Sequence, residues 1–336
     1  MACAGAHGGG AFGTVGRGAC LPSRGMPTMR CSGPVAPAET GPTPHRTAAG
    51  RHVLTAVEFD VLWERLGLGP TPVVLRLESP GRTRAERREI EAAGWQALRE
   101  RGLAGPAGAD PELTRLLHLL ARPAVALELR GWWGRSVRAV AAGAPGVGAL
   151  AVRQDGSLTV QACGSLPTAL LGVLPAAQPG PGRATTLPTS VLAAALGSVA
   201  EAVAPVGAHC HSAGRSGHRR DGTEPGPVGL RTALAERGVP AVDAASLARM
   251  LGGTERRAQL VALTGDRWGG TKRAGGVLGV LDGRRGRYLL TRSTAADGVE
   301  WSTVAPVDGR RLRHCLGELL ALALPTDPRT DPALPA

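Results

Sequence analysis

The sequence has little lysine, few aromatic residues and no long hydrophobic run. Lys272 is the one lysine among 39 cationic residues, and aromatic residues make up 3% of the 336 positions. No apolar run reaches the roughly 18 residues that a helix needs to cross a bilayer, which excludes a membrane-spanning helix. The arginine-containing N-terminus has no continuous apolar segment, so it is not typical of a signal peptide. We therefore expect a cytoplasmic protein.

Closely spaced cysteine pairs are also missing. None of the six cysteines forms a CxxC pair, which argues against a zinc knuckle or a disulfide framework. Cys163 and Cys315 are expected to pack as small apolar residues. The segment 205–226 contains three histidines and Cys210, but no second ligand pair has the spacing of a metal site. We predict a mobile loop there, with no metal and no cofactor.

The formal charge of +12 raises the possibility of a nucleic-acid-binding protein. The arginines are spread along the whole chain, often beside acidic residues, and few aromatic residues accompany them. Alanine, glycine, arginine and proline are abundant throughout, a composition typical of a GC-rich genome. A basic nucleic-acid-binding protein therefore remains an alternative rather than the favoured interpretation.

Two glycine-rich segments have the spacing of phosphate-binding loops without their structural context. The first, 143–148, is followed by a predicted strand, whereas a dinucleotide site needs a helix at that point. In the second, Thr271 precedes Lys272, which reverses the order of the P-loop motif. The sequence also lacks GxSxG and HExxH motifs. We expect no enzyme and no catalytic residues, with a small-molecule-binding α+β enzyme of unknown reaction as an alternative.

Two stretches of the chain share one order of predicted elements. In the first, Asp110 and Pro111 begin a helix, four strands follow with a Trp-Gly turn after the first strand, and a short helix ends near Leu174. Asp155-Gly156 predicts a hairpin between the last two strands. The second stretch, 242–324, repeats this order. Residue identity between the stretches is low, so the order predicts a structural repeat rather than a solenoid.

Three more elements are predicted before the first repeat. Thr55 and Glu58 have the spacing of a capping box at the start of a helix. The alternating apolar residues of the segment 72–79 predict a strand. A long charged helix is then predicted from Arg82 to Arg101, with Gly102 as its C-cap.

The opening segment HVLTAVEFDVLWERLGLGPTPVVLRLESPGRTRAERREIEAAGWQALRERGL resembles that of the EspG family, the secretion-associated chaperones of ESX (type VII) systems of actinobacteria. The resemblance covers roughly residues 52–324 and is strongest before Gly102. It implies an α+β fold with a quasi-twofold repeat, in which a central antiparallel β-sheet is flanked by two helical bundles. It also implies a non-catalytic chaperone that binds the helical tip of a PE/PPE-like or other helical-hairpin substrate.

The predicted organisation has three parts. Disordered tails are expected at 1–51 and 325–336, on either side of an EspG-like domain at 52–324. Within the domain, half one covers about 52–174, a linker with helices covers 175–241, and half two covers about 242–324. The sequence does not indicate the oligomeric state.

The candidate partner-binding residues lie mostly in the second half. The resemblance implies that the central sheet and the C-terminal helical bundle form the docking face. Tryptophan is favoured at binding hot spots, and neighbouring residues on a strand cannot both face inward, so we expect Trp133 rather than Trp132 to be free for binding. The candidates are Trp268, Leu278, Val280, Tyr288, Leu290 and Trp133.

Overall fold

The structure, a computed structural model, describes residues 50–144, 146–197, 227–266 and 270–324. Three predicted segments lie outside these ranges: the loop 205–226, the tail 325–336 and residues 1–49 of the tail 1–51. The principal element is a ten-stranded antiparallel β-sheet. A separate two-stranded ribbon is formed by β2 (Ala104–Gly105) and β3 (Gly108–Ala109).

The strands of the main sheet come in two groups of five. The first group is β1 (Arg51–Thr55), β4 (Val125–Trp132), β5 (Ser136–Ala144), β6 (Val147–Gln154) and β7 (Ser157–Cys163). The second group is β8 (Thr185–Pro188), β9 (Thr254–Gly265), β10 (Thr271–Gly283), β11 (Gly286–Thr294) and β12 (Glu300–Pro306).

The strand order shows a quasi-twofold arrangement about the middle of the sheet. The order is β1-β7-β6-β5-β4-β9-β10-β11-β12-β8, so each strand of one half has a counterpart in the other. The halves join where β4 pairs with β9, from Val125 opposite Thr264 to Trp132 opposite Arg257. The predicted α+β fold with a central antiparallel sheet is therefore confirmed.

Eight α-helices are described. They are α1 (Ala56–Arg65), α2 (Arg84–Glu100), α3 (Pro111–Ala121), α4 (Leu166–Leu171), α5 (Thr189–Leu196), α6 (Pro227–Glu236), α7 (Ala241–Leu251) and α8 (Gly309–Ala321). The described helices include none that is long and apolar enough to cross a membrane.

Local signals determine where several helices begin. Thr55 Oγ1 accepts a hydrogen bond from the Glu58 amide at 3.2 Å, and Glu58 Oε2 accepts one from the Thr55 amide at 2.7 Å, which completes the predicted capping box. The Asp110 side chain caps α3, with Pro111 at its first position, as predicted. Because these contacts connect residues close in sequence, the sequence alone reveals them.

Two elements differ from the sequence predictions. The segment 72–79 contains a 3₁₀ turn at Val73–Leu75 in place of the predicted strand. Val74 and Leu75 are both buried, because the turn packs across β4, β5 and β6 instead of pairing with them as a strand. Within the segment 175–241, predicted as a linker with helices, Thr185–Pro188 forms the edge strand β8, and α5 begins at Thr189.

Three hydrophobic cores lie on the two faces of the sheet. On one face, α1, α2 and α3 cover the first half and α5, α6 and α7 cover the second half, which confirms the two flanking helical bundles. On the other face, α4 and α8 pack against each other and against the strands near the β4–β9 junction. We call the face with the two bundles the bundle face. Its centre lies between the two bundles.

Candidate partner-binding groove

An open groove of about 770 Å³ lies at the centre of the bundle face. Strands β4, β9, β10, β11 and β12 contribute its lining. The residues that line the groove are Glu128, Arg130, Gln259, Val261, Leu263, Arg273, Gly276, Val277, Gly279, Leu290, Arg292, Ser293, Thr294 and Glu300. The groove thus draws its residues from both halves of the chain.

Strand register explains why these side chains share one surface. Arg130 is opposite Gln259, Gln259 is opposite Gly279, and Gly279 is opposite Leu290, so one row of directly paired residues crosses the groove. Side chains at paired positions lie on the same face of a sheet. A Cβ added at Gly279 would lie 3.2 Å from Leu290 Cβ. The glycine therefore leaves space above the sheet at this point of the groove.

The groove combines an apolar patch with polar and charged side chains. Val261, Val277 and Leu290 form the apolar patch, whereas Arg273 and Arg292 are exposed. Such a surface can bind an amphipathic partner, because apolar contacts supply affinity and charges supply orientation.

Glu128 is a buried carboxylate in the groove wall. It is 6% exposed, and its Oε2 lies 3.6 Å from Nη2 of Arg130 on the same strand. Burial raises the pKa of Glu128 above its usual value, although the positive charge of Arg130 acts in the opposite direction. This part of the groove therefore contains a charge that is only partly compensated.

Of the five described candidates, the structure brings only Leu290 into the groove. Leu278 and Val280 point to the opposite face, where α8 packs, because side chains alternate along β10. Tyr288 is 1% exposed, and its hydroxyl donates a hydrogen bond to the Pro181 carbonyl oxygen at 3.2 Å. These three side chains pack inside the protein, and a contact between any of them and a partner stays a prediction.

Of the two tryptophan candidates, the structure describes only Trp133. Trp268 lies outside the described residues. Trp133 is partly buried against the core beneath α4 and α8, whereas its neighbour Trp132 is 45% exposed. The expectation that Trp133 is the freer of the pair is therefore reversed. A contact between Trp133 and a partner stays a prediction.

Sequence reasoning missed most of the groove. Arg130, Gln259 and Val277 are far apart in the chain, and only the pairing of β4 with β9 and of β9 with β10 brings them together. The alternation of Glu128 and Arg130 with buried leucines on β4 was a usable signal, because charged residues on a central strand need an opening to solvent.

The two glycine-rich segments that resemble phosphate-binding loops belong to the β-sheet. The segment 143–148 joins β5 to β6, and a Cβ added at Gly143 would lie 2.3 Å from the Val147 carbonyl oxygen, so this glycine permits close pairing in a hairpin. Lys272 is the second residue of strand β10, whereas a P-loop lysine is at the start of a helix. Within the described ranges, no three metal-ligating side chains come together.

The described cysteines do not have the environment of reactive thiols. Burial raises the pKa of Cys163, and burial is also the largest cause of the raised pKa of Cys315. A raised pKa favours the thiol over the nucleophilic thiolate. These residues pack against the core, as expected for small apolar side chains.

The fold and the groove define a class of binding protein, with a sheet that stays open between two helical bundles. The model of the EspG family matches residues 55–318, and the chain belongs to this family. The fold is similar to that of the Mycobacterium tuberculosis type VII secretion system chaperone EspG5, solved in complex with a PE25-PPE41 dimer. That match has a TM-score of 0.58 and 17% identity, and it covers 82% of this chain and 97% of the other. No curated protein matches the sequence.

Proposed function

We propose that this chain is a chaperone of type VII secretion that binds the helical tip of a PE/PPE-like or other helical-hairpin substrate. Membership of the EspG family supports this proposal, as does the complex in which the structurally similar EspG5 was solved. The observation that carries it is the groove between the two bundles, which has an apolar patch and is open to solvent.

The size of the groove suits the end of a helical hairpin. An α-helix with its side chains is about 10–12 Å wide, so the groove can accept several side chains of a tip but cannot enclose a long helix. An apolar tip exposed to water promotes aggregation, and burying it in the groove removes that surface from water. The proposed mechanism is therefore stoichiometric binding without chemistry.

Binding in this mode requires no catalytic residue and no cofactor. The proposed site of action is the cytoplasm, where the chaperone keeps its substrate soluble until the secretion machinery receives it. An enzyme of unknown reaction and a nucleic-acid-binding protein are the alternatives that the experiment must separate from this function.

The test is co-expression of the full chain with the PE/PPE-like or helical-hairpin proteins encoded near its gene. We expect one of them to become soluble and to elute with this chain as a complex that survives 0.5 M salt. Purification of the chain alone, or only with nucleic acid that dissociates in salt, would contradict the proposal.

A further inference from the structure

Three arginines occupy directly opposed positions on adjacent strands of the bundle face. Arg130 on β4 is opposite Arg138 on β5, and Arg138 is opposite Arg153 on β6. We call these residues the arginine row. Paired positions place the three side chains on the same face of the sheet.

This arrangement is unfavourable for the free protein. Like charges directly opposite each other destabilise a sheet. Burial lowers the pKa of Arg138, and the positive charges of Arg130 and Arg153 lower it further. The folded chain therefore bears a repulsion that a substitution at Arg138 could relieve.

Arg130 is paired with Glu128, but the hydrogen bonds of Arg138 and Arg153 do not neutralise the charges of these two residues. Arg138 Nη1 donates to the carbonyl oxygens of Gly131 and Val137, each at 3.2 Å, and Arg153 donates to the carbonyl oxygen of Arg76. Carbonyl groups satisfy the donors but bear no formal charge. Among the residues that the structure describes, Arg138 and Arg153 have no carboxylate within 4.0 Å.

The row continues the floor of the groove into the first half of the sheet. Arg130 lines the groove and is opposite Gln259, which also lines it. Arg138 and Arg153 extend the same row of paired positions away from the groove. A partner seated in the groove can therefore place an acidic group over the row while its apolar side chains contact Val277 and Leu290.

We infer that the arginine row binds carboxylate groups on the helical tip of the partner, so that the partner of this chain has an acidic tip. This inference rests on the proposed function and adds the chemical character of the substrate. Guanidinium groups form charge-assisted hydrogen bonds with carboxylates, often in pairs. The net charge of +12 also favours the approach of an acidic partner.

The first test compares the affinity of three variants for the substrate that co-purifies with the chain. Arg138→Gln and Arg153→Gln each remove one charge from the row. Arg135→Gln is the matched control, because Arg135 lies just before β5, three residues before Arg138, and pairs with the exposed Asp155 at 3.0 Å. We expect Kd to rise at least tenfold for Arg138→Gln and less than twofold for Arg135→Gln.

A stability measurement separates binding from folding. The midpoint of urea unfolding of free Arg138→Gln should equal or exceed that of the wild type, because the substitution removes repulsion. A complex that forms with unchanged Kd for both row variants would overturn this inference and leave the proposed function intact. Failure of the wild type to form any complex would instead overturn the proposed function.

The second test needs no substrate. Thermal unfolding is measured in 100 mM sodium glutarate, a dicarboxylate probe, and in sodium chloride of equal ionic strength. We expect glutarate to raise the midpoint for the wild type by about 2 °C more than for Arg138→Gln. Equal shifts for the two proteins would contradict the inference, as would a difference produced by inorganic phosphate but not by glutarate.

Discussion

At the scale of single residues, the Trp132-Trp133 pair shows how far strand alternation can be read from sequence. Alternation predicts correctly that the two side chains separate, but not which of them reaches the core. Trp133 lies across Gly131, because a glycine leaves space there, and Trp132 is exposed, with the Arg257 guanidinium 5.6 Å from its ring centroid. The choice depends on a tertiary contact, so the sequence alone favoured the wrong residue.

Gly131→Ala should destabilise the protein. An added Cβ would lie 2.2 Å from Cζ3 of Trp133, so the ring has to move from its place against the core. We expect a loss of about 1–3 kcal/mol in the free energy of unfolding, measured by urea denaturation. Gly317→Ala on α8 is the control, because no atom lies within 4 Å of its added Cβ. That variant should gain up to about 1 kcal/mol from helix propensity, and equal effects at both sites would contradict the packing described here.

The buried Glu128 should make the stability of the folded protein depend on pH. Its pKa is higher in the folded protein than its usual value of 4.5, chiefly because of burial, so the folded state holds a proton at Glu128 more readily than the unfolded state. Its contribution to the free energy of unfolding therefore falls as pH rises from about 4.5 through the raised pKa. Glu128→Gln removes this dependence.

The measurement is urea unfolding of wild type and Glu128→Gln at pH 5 and pH 8. The stability of the variant relative to the wild type should be greater at pH 8 than at pH 5. The exposed Glu78→Gln controls for the change in net charge. A difference between Glu128→Gln and wild type that stays constant with pH would show that burial of this carboxylate has no energetic effect.

At the scale of elements, the sequence predicts best those helices and hairpins that have local signals. The capping box at Thr55, the N-cap at Asp110 and the Asp155-Gly156 turn are all present, the last with φ of 49° and 75°. Strands β1 and β8 were missed, because each is short and is stabilised by pairing with a distant strand. The 3₁₀ turn at 73–75 was missed because its burial depends on the sheet beneath it.

The N-cap of α1 offers a test of one local signal. Thr55→Ala removes the hydroxyl that accepts the Glu58 amide hydrogen, and it should lower the free energy of unfolding by about 1 kcal/mol. Thr55→Ser keeps the hydroxyl and should stay close to the wild type. Urea denaturation of the full chain measures both variants, and equal losses for serine and alanine would mean that the cap contributes little.

At the scale of the whole molecule, the groove is a product of the repeat. Each half covers its own part of the bundle face with helices, and the strands where the halves meet remain open between them. Neither half of the sequence indicates which residues line this opening, because they come together only when β4 pairs with β9. The fold class was therefore predictable from the order of elements and the family resemblance, whereas the groove residues other than Leu290 were not.

The central claim is that the groove binds the helical tip of a secretion substrate, and one affinity measurement tests it most directly. Val277→Glu places a charge on the apolar patch of the groove, while Val147→Glu places the same charge at the 43% exposed Val147, the first residue of β6. Circular dichroism first establishes that both variants fold. We predict that Kd for the co-purifying substrate rises at least tenfold for Val277→Glu and less than twofold for Val147→Glu. Equal affinities of the two folded variants would contradict binding in the groove.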